Sequence, residues 1–378
     1  MASRITRRQL GLAAAGLSAA APALLASATH DGDTATPRDF DPIDYTLQRY
    51  SSAPLRMTFQ ATNKADAELW QRQLRVKITE LLGGIPASGG AVKAETTEVR
   101  DFPDYRRERL MFESKPGVGV QAYLLTPKSV APPFKTVICV TGHGRGADDI
   151  VAIGEDGKDR TGKPSYANDF AVQVVKQGMA AVAIEPMAFG CRRSAATKLK
   201  GPTVTDCQPS AGSALLLGET MIGWRVFDVM RTIDWIGARP ELDSKRIACM
   251  GISGGGTCTQ FAAALDTRIQ AAMVSGYLNT FRDSIMSVPH CMDNYVPGIL
   301  NWAENYDVAG LIAPRPFFSE GGDQDHIFPV HATRAAFQKV KKVYEVFGVP
   351  ELAQQEIFSG GHQFHGVQGI PFIKKSLA

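Results

Sequence analysis

The sequence predicts an α/β fold: a three-layer α/β/α sandwich around a mainly parallel sheet. Three observations carry that expectation. Short β-rich runs alternate with segments of helical period from residue 109 to the C-terminus, a pattern in which helices cover both faces of a parallel sheet. A glycine-rich turn, Gly251-Ile252-Ser253-Gly254-Gly255, joins one such run to the helix-like segment after it. Finally, 378 residues with 44% hydrophobic and 21% charged side chains form an ordinary globular composition. That composition supplies one large core and excludes a disordered or repetitive chain.

The N-terminus is read as a targeting segment rather than part of the fold. Arg4, Arg7 and Arg8 precede an apolar, alanine-rich run over residues 10–26, no acid occurs before Asp31, and Ala26-Ser27-Ala28 meets the small-residue rule for cleavage. The 17 residues of that run, interrupted by Gly11, Gly16 and Pro22, fall short of the ~20 that a spanning helix needs. A retained N-terminal anchor is the alternative. Thr6-Arg7-Arg8-Gln9-Leu10 is similar to a bacterial twin-arginine signal, so residues 1–28 are expected to engage an export machinery and deliver a periplasmic or secreted protein. The whole chain carries a net charge of +3; without the signal, bases and acids balance at 38 each. Such a surface has no excess charge for nucleic acid, which is excluded as a partner.

Residues 29–100 are expected to hold an N-terminal leader and a packing helix. Residues 29–62 are polar and proline-containing, with little structure of their own. Over 63–82, Trp70, Leu74, Ile78, Leu81 and Leu82 recur at helical spacing until Gly83-Gly84 and Pro86 stop the element. The catalytic domain then spans 101–378. Residues 109–113 and 120–126 form a hairpin about Lys115-Pro116-Gly117. A strand at 136–140 runs into Thr141-Gly142-His143-Gly144, a helix at 167–177 and a strand at 179–185 follow, and one long helix over 214–238 carries Ile222, Val226, Val229, Ile233 and Ile236 along a stripe. Strands at 246–252, 269–275, 316–320 and 354–358 enclose helices at 257–265 and 331–347. The loops at the carboxyl ends of the strands are where such a sheet places its site.

The chemistry begins at Ser253. A nucleophilic serine on a sharp strand-to-helix turn needs small neighbours, and Gly251, Gly254 and Gly255 supply them. Its hydroxyl is a poor nucleophile until a base takes the proton and a carboxylate orients that base. Among seven histidines, His362 in Ser359-Gly360-Gly361-His362-Gln363-Phe364 follows the last strand, where the base of a Ser, Asp, His order belongs; His365 is its competitor. The acid comes from Gly321-Gly322-Asp323-Gln324-Asp325. Asp325 is chosen over Asp323, which the alternative reading makes a turn former. Main-chain amides of Gly254 and of Arg145 or Gly144 are the expected oxyanion donors, with His143 a structural hydrogen-bonder.

The remaining features are weaker. Six cysteines lack any Cys-x-x-Cys spacing, and His290 with Cys291 lacks further ligands, so no metal is expected. Cys191 and Cys207 flank a polar loop where an oxidising compartment permits a bridge or leaves two thiols. Arg192, Arg193, Lys198 and Lys200 in that loop either meet an acidic substrate or face solvent. Residues 277–313 are a cap or pocket wall carrying Tyr277, Tyr295 and Trp302, or else a core-packing excursion.

Ser253, Asp325 and His362 in that order, with the His143-Gly144 loop upstream, resemble the α/β-hydrolase superfamily from about residue 106 to the C-terminus. Leu81-Leu82-Gly83, Gly223-Trp224-Arg225-Val226-Phe227-Asp228 and Asn294-Tyr295-Val296-Pro297-Gly298 resemble its acetyl xylan esterase-like and dienelactone-hydrolase-like branch, related to prolyl-oligopeptidase-type domains. A dienelactone hydrolase proper would carry Cys where Ser253 stands. The resemblance implies an eight-stranded sheet, an acyl-enzyme mechanism without a cofactor, and carboxylic ester substrates, often short acyl groups on sugars. The rivals are a prolyl-oligopeptidase-type serine peptidase, for whose propeller the chain before the hairpin is too short, and a catalytically silent hydrolase fold used for binding.

Overall fold

The structure, a computed structural model, describes residues 41–378; the signal read over residues 1–28 lies outside the described residues. Two helices lead, α1 (Pro42–Ser51) and α2 (Lys64–Leu81). Helix α2 starts where Asn63 accepts a hydrogen bond from the Asp66 amide at 3.0 Å, satisfying one of the open donors of the first turn. Its Leu74 and Ile78 are buried. Helix α1 corrects the expectation of an unstructured leader; it buries none of its residues, so no apolar stripe announced it.

Strands β1 (Ala94–Asp101), β2 (Tyr105–Lys115) and β3 (Val118–Pro127) form an antiparallel meander. They lead to β4 (Phe134–Val140), α3 (Phe170–Lys176), β5 (Ala180–Ile184) and the short α4 (Ala195–Lys198). Next come α5 (Cys207–Leu216), α6 (Met221–Gly237), β6 (Leu242–Ile252), α7 (Gly254–Leu265), β7 (Ile269–Ser275) and α8 (Asn305–Gly310). The chain ends with β8 (Phe317–Gly322), α9 (Val330–Val346), β9 (Ala353–Phe358) and α10 (Gly369–Ser376).

The sheet has nine strands in the order β1-β2-β3-β5-β4-β6-β7-β8-β9, not eight. The extra strand is β1, exposed at every position, so it lacks the alternation that marks a half-buried strand. From β5 to β9 neighbouring strands run parallel. Alternation along β4 sends Ile138 and Val140 into the core shared with α2, α6, α7, α8 and α9, and Val137 and Cys139 into the core under α3 and α10. The sheet is thus the middle of three layers, the α/β-hydrolase fold.

The long helix read over 214–238 is two helices. Gly218 takes φ +73°, and Thr220 caps α6 by accepting the Gly223 amide at 3.0 Å. A left-handed residue ends a helix; the stripe from Ile222 to Ile236 lies wholly in α6, while Cys207 and Ala211 of α5 pack in a separate small cluster and Leu216 and Leu217 are exposed. No helix among the described residues is long and apolar enough to cross a membrane.

Candidate active site

Strand β6 delivers Ser253 to the carboxyl edge of the sheet, and α7 starts at the next residue. Ser253 takes φ 79° and ψ −116°, a conformation that L-residues rarely adopt and that a packed turn must impose. The packing is visible in its neighbours. A Cβ on Gly255 would lie 1.9 Å from the Val140 carbonyl oxygen, and one on Gly251 would lie 2.5 Å from the Val140 and Gly255 oxygens. Gly254 is less confined, its nearest contact being His143 Nδ1 at 3.4 Å. The two flanking glycines are therefore steric requirements of the turn.

Three loops bring the other groups to this edge. Nε2 of His362 lies 2.9 Å from Ser253 Oγ, and its Nδ1 lies 2.7 Å from Asp325 Oδ2. A carboxylate only accepts, so Nδ1 carries the proton and Nε2 is left to accept from the serine hydroxyl. Asp325 Oδ1 accepts the amides of Ile327 at 2.8 Å and Phe328 at 3.0 Å. Burial pushes this carboxyl upward, but the His362 hydrogen bond and charge, with the two amides, hold it below the ordinary carboxylate range. The rings of Tyr166 and Phe328 lie nearly parallel to the imidazole, with centroids at 5.9 and 5.6 Å.

The alternatives within each pair go elsewhere. Asp323 Oδ1 accepts the Gly360 amide at 3.0 Å and ties two loops together. His365 Nδ1 lies 3.1 Å from Glu356 Oε1, and the His365 amide donates to the buried Glu320.

The oxyanion expectation needs a correction. The Arg145 amide donates to Asp149 Oδ2 at 2.9 Å and its guanidinium to Asp149 Oδ1 at 2.6 Å, so that amide is spent within its own loop. Gly144 is pressed to the same carboxylate, its Cβ position 2.7 Å from Asp149 Oδ2, and neither residue lines the cavity at Ser253. Gly142 does abut the nucleophile, its Cβ position 2.7 Å from Ser253 Cβ. The next amide, that of His143, and the Gly254 amide have no acceptor among the described residues. The signal was in the sequence: the turn begins directly after β4, two residues earlier than the glycine count suggested.

The cavity over Ser253 holds about 380 Å³ and is walled by Tyr166, Pro289, His290, Cys291, Ile327 and Phe328 among others. Burial lowers His290 to about 4, so it is a neutral wall near pH 7. No Lys or Arg is among the lining residues. The proposed pocket residues lie elsewhere: Tyr277 is fully buried, Tyr295 lines a separate cavity of about 270 Å³ with Tyr50 and Phe281, and Trp302 packs under Lys77 at 4.3 Å. The 277–313 segment nevertheless forms one wall, through Pro289, His290, Cys291 and Asn294. Arg192 pairs with Asp228 at 2.6 Å, and Arg193 donates to the Gly201 and Val204 carbonyls. Neither reaches the serine pocket.

All six cysteines are free, and Cys207 does not face Cys191. It lies instead with His143, Cys291 and Asp293, whose ligand-type atoms all fall within 4.8 Å of one another. Cys291, but not His290, thus meets further ligand-type side chains: Asp293 two residues on, and His143 and Cys207 from distant parts of the chain.

Three comparisons with known proteins bear on this site. The model of the Abhydrolase family matches residues 52–362. YtaP of Bacillus subtilis (strain 168), assigned as a hydrolase, is 24% identical over 315 residues, covering 80% of this chain and 98% of that one. A protein of Bacteroides fragilis NCTC 9343, assigned as an acetyl xylan esterase, superposes with a TM-score of 0.73 at 18% identity, over 89% of this chain and 95% of its own. A glucuronoyl esterase from Solibacter usitatus superposes with a TM-score of 0.60 at 16% identity, over 81% and 92% of the two chains. At those identities the superpositions speak for the fold.

Proposed function

The chain belongs to the Abhydrolase family, and from that premise we propose that it is an exported serine esterase that removes short acyl groups from carbohydrate esters. The observation that carries this reading is the unbroken line of hydrogen bonds from Ser253 Oγ through His362 to Asp325, 2.9 and 2.7 Å long, opening into a cavity.

In this mechanism the Ser253 hydroxyl attacks the ester carbonyl as its proton passes to His362 Nε2, and Asp325 stabilises the imidazolium that results. The oxyanion is held by the amides of Gly254 and His143. His362 then protonates the departing alcohol, and water repeats the sequence on the acyl-enzyme. The cavity has room for a short acyl group such as acetate. The acetyl xylan esterase assignment of the B. fragilis protein agrees with that choice.

An organophosphonate probe tests the nucleophile: it labels the wild-type protein at Ser253 and spares Ser253→Ala. Equal labelling of both, or none of either, overturns the reading. Hydrolysis of aryl acetates with no turnover of aryl anilides separates an esterase from a peptidase. A series of acetylated oligosaccharides then tests the alcohol.

A further inference from the structure

Beneath the serine pocket lies a second constellation that ester hydrolysis does not use. Cys207 is the first residue of α5. Its Sγ is 3.5 Å from His143 Nε2, donates to Asp293 Oδ2 at 3.2 Å and accepts from Arg225 Nη2 at 3.3 Å. Arg225 is buried and donates to Asp293 Oδ2 at 2.5 Å through its other nitrogen. Cys291 approaches the same sulfur from the pocket side, where it is half-buried and lines the cavity over Ser253. The contact with Cys291 first, then His143 and the Arg225 charge, pull the Cys207 thiol down against its burial and the Asp293 charge, while Cys291 is pushed up by the same contact and by burial. One sulfur is thus held inside a polar cluster, and the other lies within reach of a small molecule in the pocket.

We propose that Cys207 and Cys291 are an oxidisable dithiol that closes to a disulfide under the floor of the serine pocket. The oxidant is a low-molecular-weight disulfide, RSSR. Cys291 attacks one sulfur of RSSR as its proton passes to the departing RS⁻, giving a mixed disulfide and one RSH. Cys207 then attacks the Cys291 sulfur, forming the Cys207–Cys291 bond, and its proton passes to the second RS⁻ that is expelled. Two protein thiols give up two electrons and two protons, and RSSR becomes two RSH. The bond would join α5 to the wall segment that carries Asn294, which accepts from Thr257 of the nucleophile helix at 2.8 Å. Because the link closes a long loop of chain, the oxidised form gains stability.

The same four atoms form a set that a divalent metal could use, but Arg225 already bonds two of the four, and its fixed positive charge opposes a dication there. The test uses the full chain, incubated with oxidised glutathione, denatured, alkylated and peptide-mapped. The expected result is a Cys207–Cys291 cross-linked peptide, loss of two alkylatable thiols, and a melting temperature higher by a few degrees. Cys207→Ser should stop at a glutathione adduct on Cys291, and Cys291→Ser should form no cross-link. A bridge to Cys191, or both thiols remaining reduced and alkylatable, overturns the proposal. So does uptake of one equivalent of zinc, offered alone, that shields both thiols and is lost in Cys291→Ser. The readout involves no ester, so its failure is distinguishable from failure of the esterase reading.

Discussion

Asp325 gives one carboxylate oxygen to His362 and the other to its own loop: Oδ2 accepts from His362 Nδ1 at 2.7 Å, while Oδ1 accepts the amides of Ile327 and Phe328. The acid is therefore aimed by backbone it cannot leave. Asp325→Asn should keep the loop and lose the correct imidazole tautomer, lowering kcat by about 10⁴-fold. Asp323→Ala, which removes the acceptor for the Gly360 amide, should stay within about fivefold of wild type and lose about 1 kcal/mol of stability. Steady-state rates on an aryl acetate, with a urea titration of each variant, check both halves. Inversion of the two effects would move the acid to Asp323.

His365 makes a parallel case. Its ring meets Glu356 and stacks on Phe358 at 4.5 Å, away from Ser253. His365→Ala should lower stability by about 1–2 kcal/mol through the lost packing and charge contact, with turnover retained within about tenfold. His362→Ala should abolish turnover at nearly unchanged stability. Matched rate and unfolding measurements on the two variants distinguish base from brace.

Glu185 sets a pH dependence of stability. Burial first, then the Asp148 charge, pushes this carboxyl up to about 8, against the opposing Ala147 amide and Arg192. The folded protein holds the proton up to that value, whereas the unfolded chain releases it near the ordinary 4.5. Between those pH values the unfolded state binds fewer protons, so stability falls as pH rises and levels off above the folded pKa. The expected size is on the order of 4 kcal/mol. Denaturant midpoints from pH 5 to 9 should decline in the wild type and flatten in Glu185→Gln; parallel curves would show that the group titrates normally.

Acyl selectivity should reside at Phe328 and not at Tyr295 or Trp302. The Phe328 ring walls the serine cavity and lies against His362. Phe328→Ala should raise the butyrate-to-acetate ratio of kcat/KM by about tenfold, within the range that one pocket wall controls. Tyr295→Ala and Trp302→Ala should leave the ratio within about twofold. A series of 4-nitrophenyl esters measures it.

Export should depend on Arg7 and Arg8. Replacing both by Lys in the full chain should leave the protein in the cytoplasm of a bacterial host, whereas the wild type is recovered outside it. Cell fractionation followed by immunoblotting reads this out, and equal distribution of the two would remove the twin-arginine reading.

Much of this molecule was legible along the chain. The parallel layers followed from alternating periods, because buried strands and amphipathic helices leave different hydrophobic spacings. Ser253 was legible because its turn cannot close without Gly251 and Gly255. The elements that escaped include α1 and β1, which have no burial signature, the short helices α4, α8 and α10, which span too few turns for a period to show, and the break at Gly218.

What only the tertiary structure decided were relations between loops. Periodicity reports which face a residue turns to the core, but not which of two neighbouring loop residues points inward. The selection of Asp325 over Asp323 rests on amides that exist only once the loop has folded. That the Arg145 amide is taken depends on Asp149 reaching back to its own loop. The pairing of Cys207 with Cys291 in place of Cys191 depends on α5 carrying one sulfur to the floor of the serine cavity. Local sequence encodes hydrogen-bonding capacity; which partner satisfies it is fixed by chain segments that meet only in three dimensions.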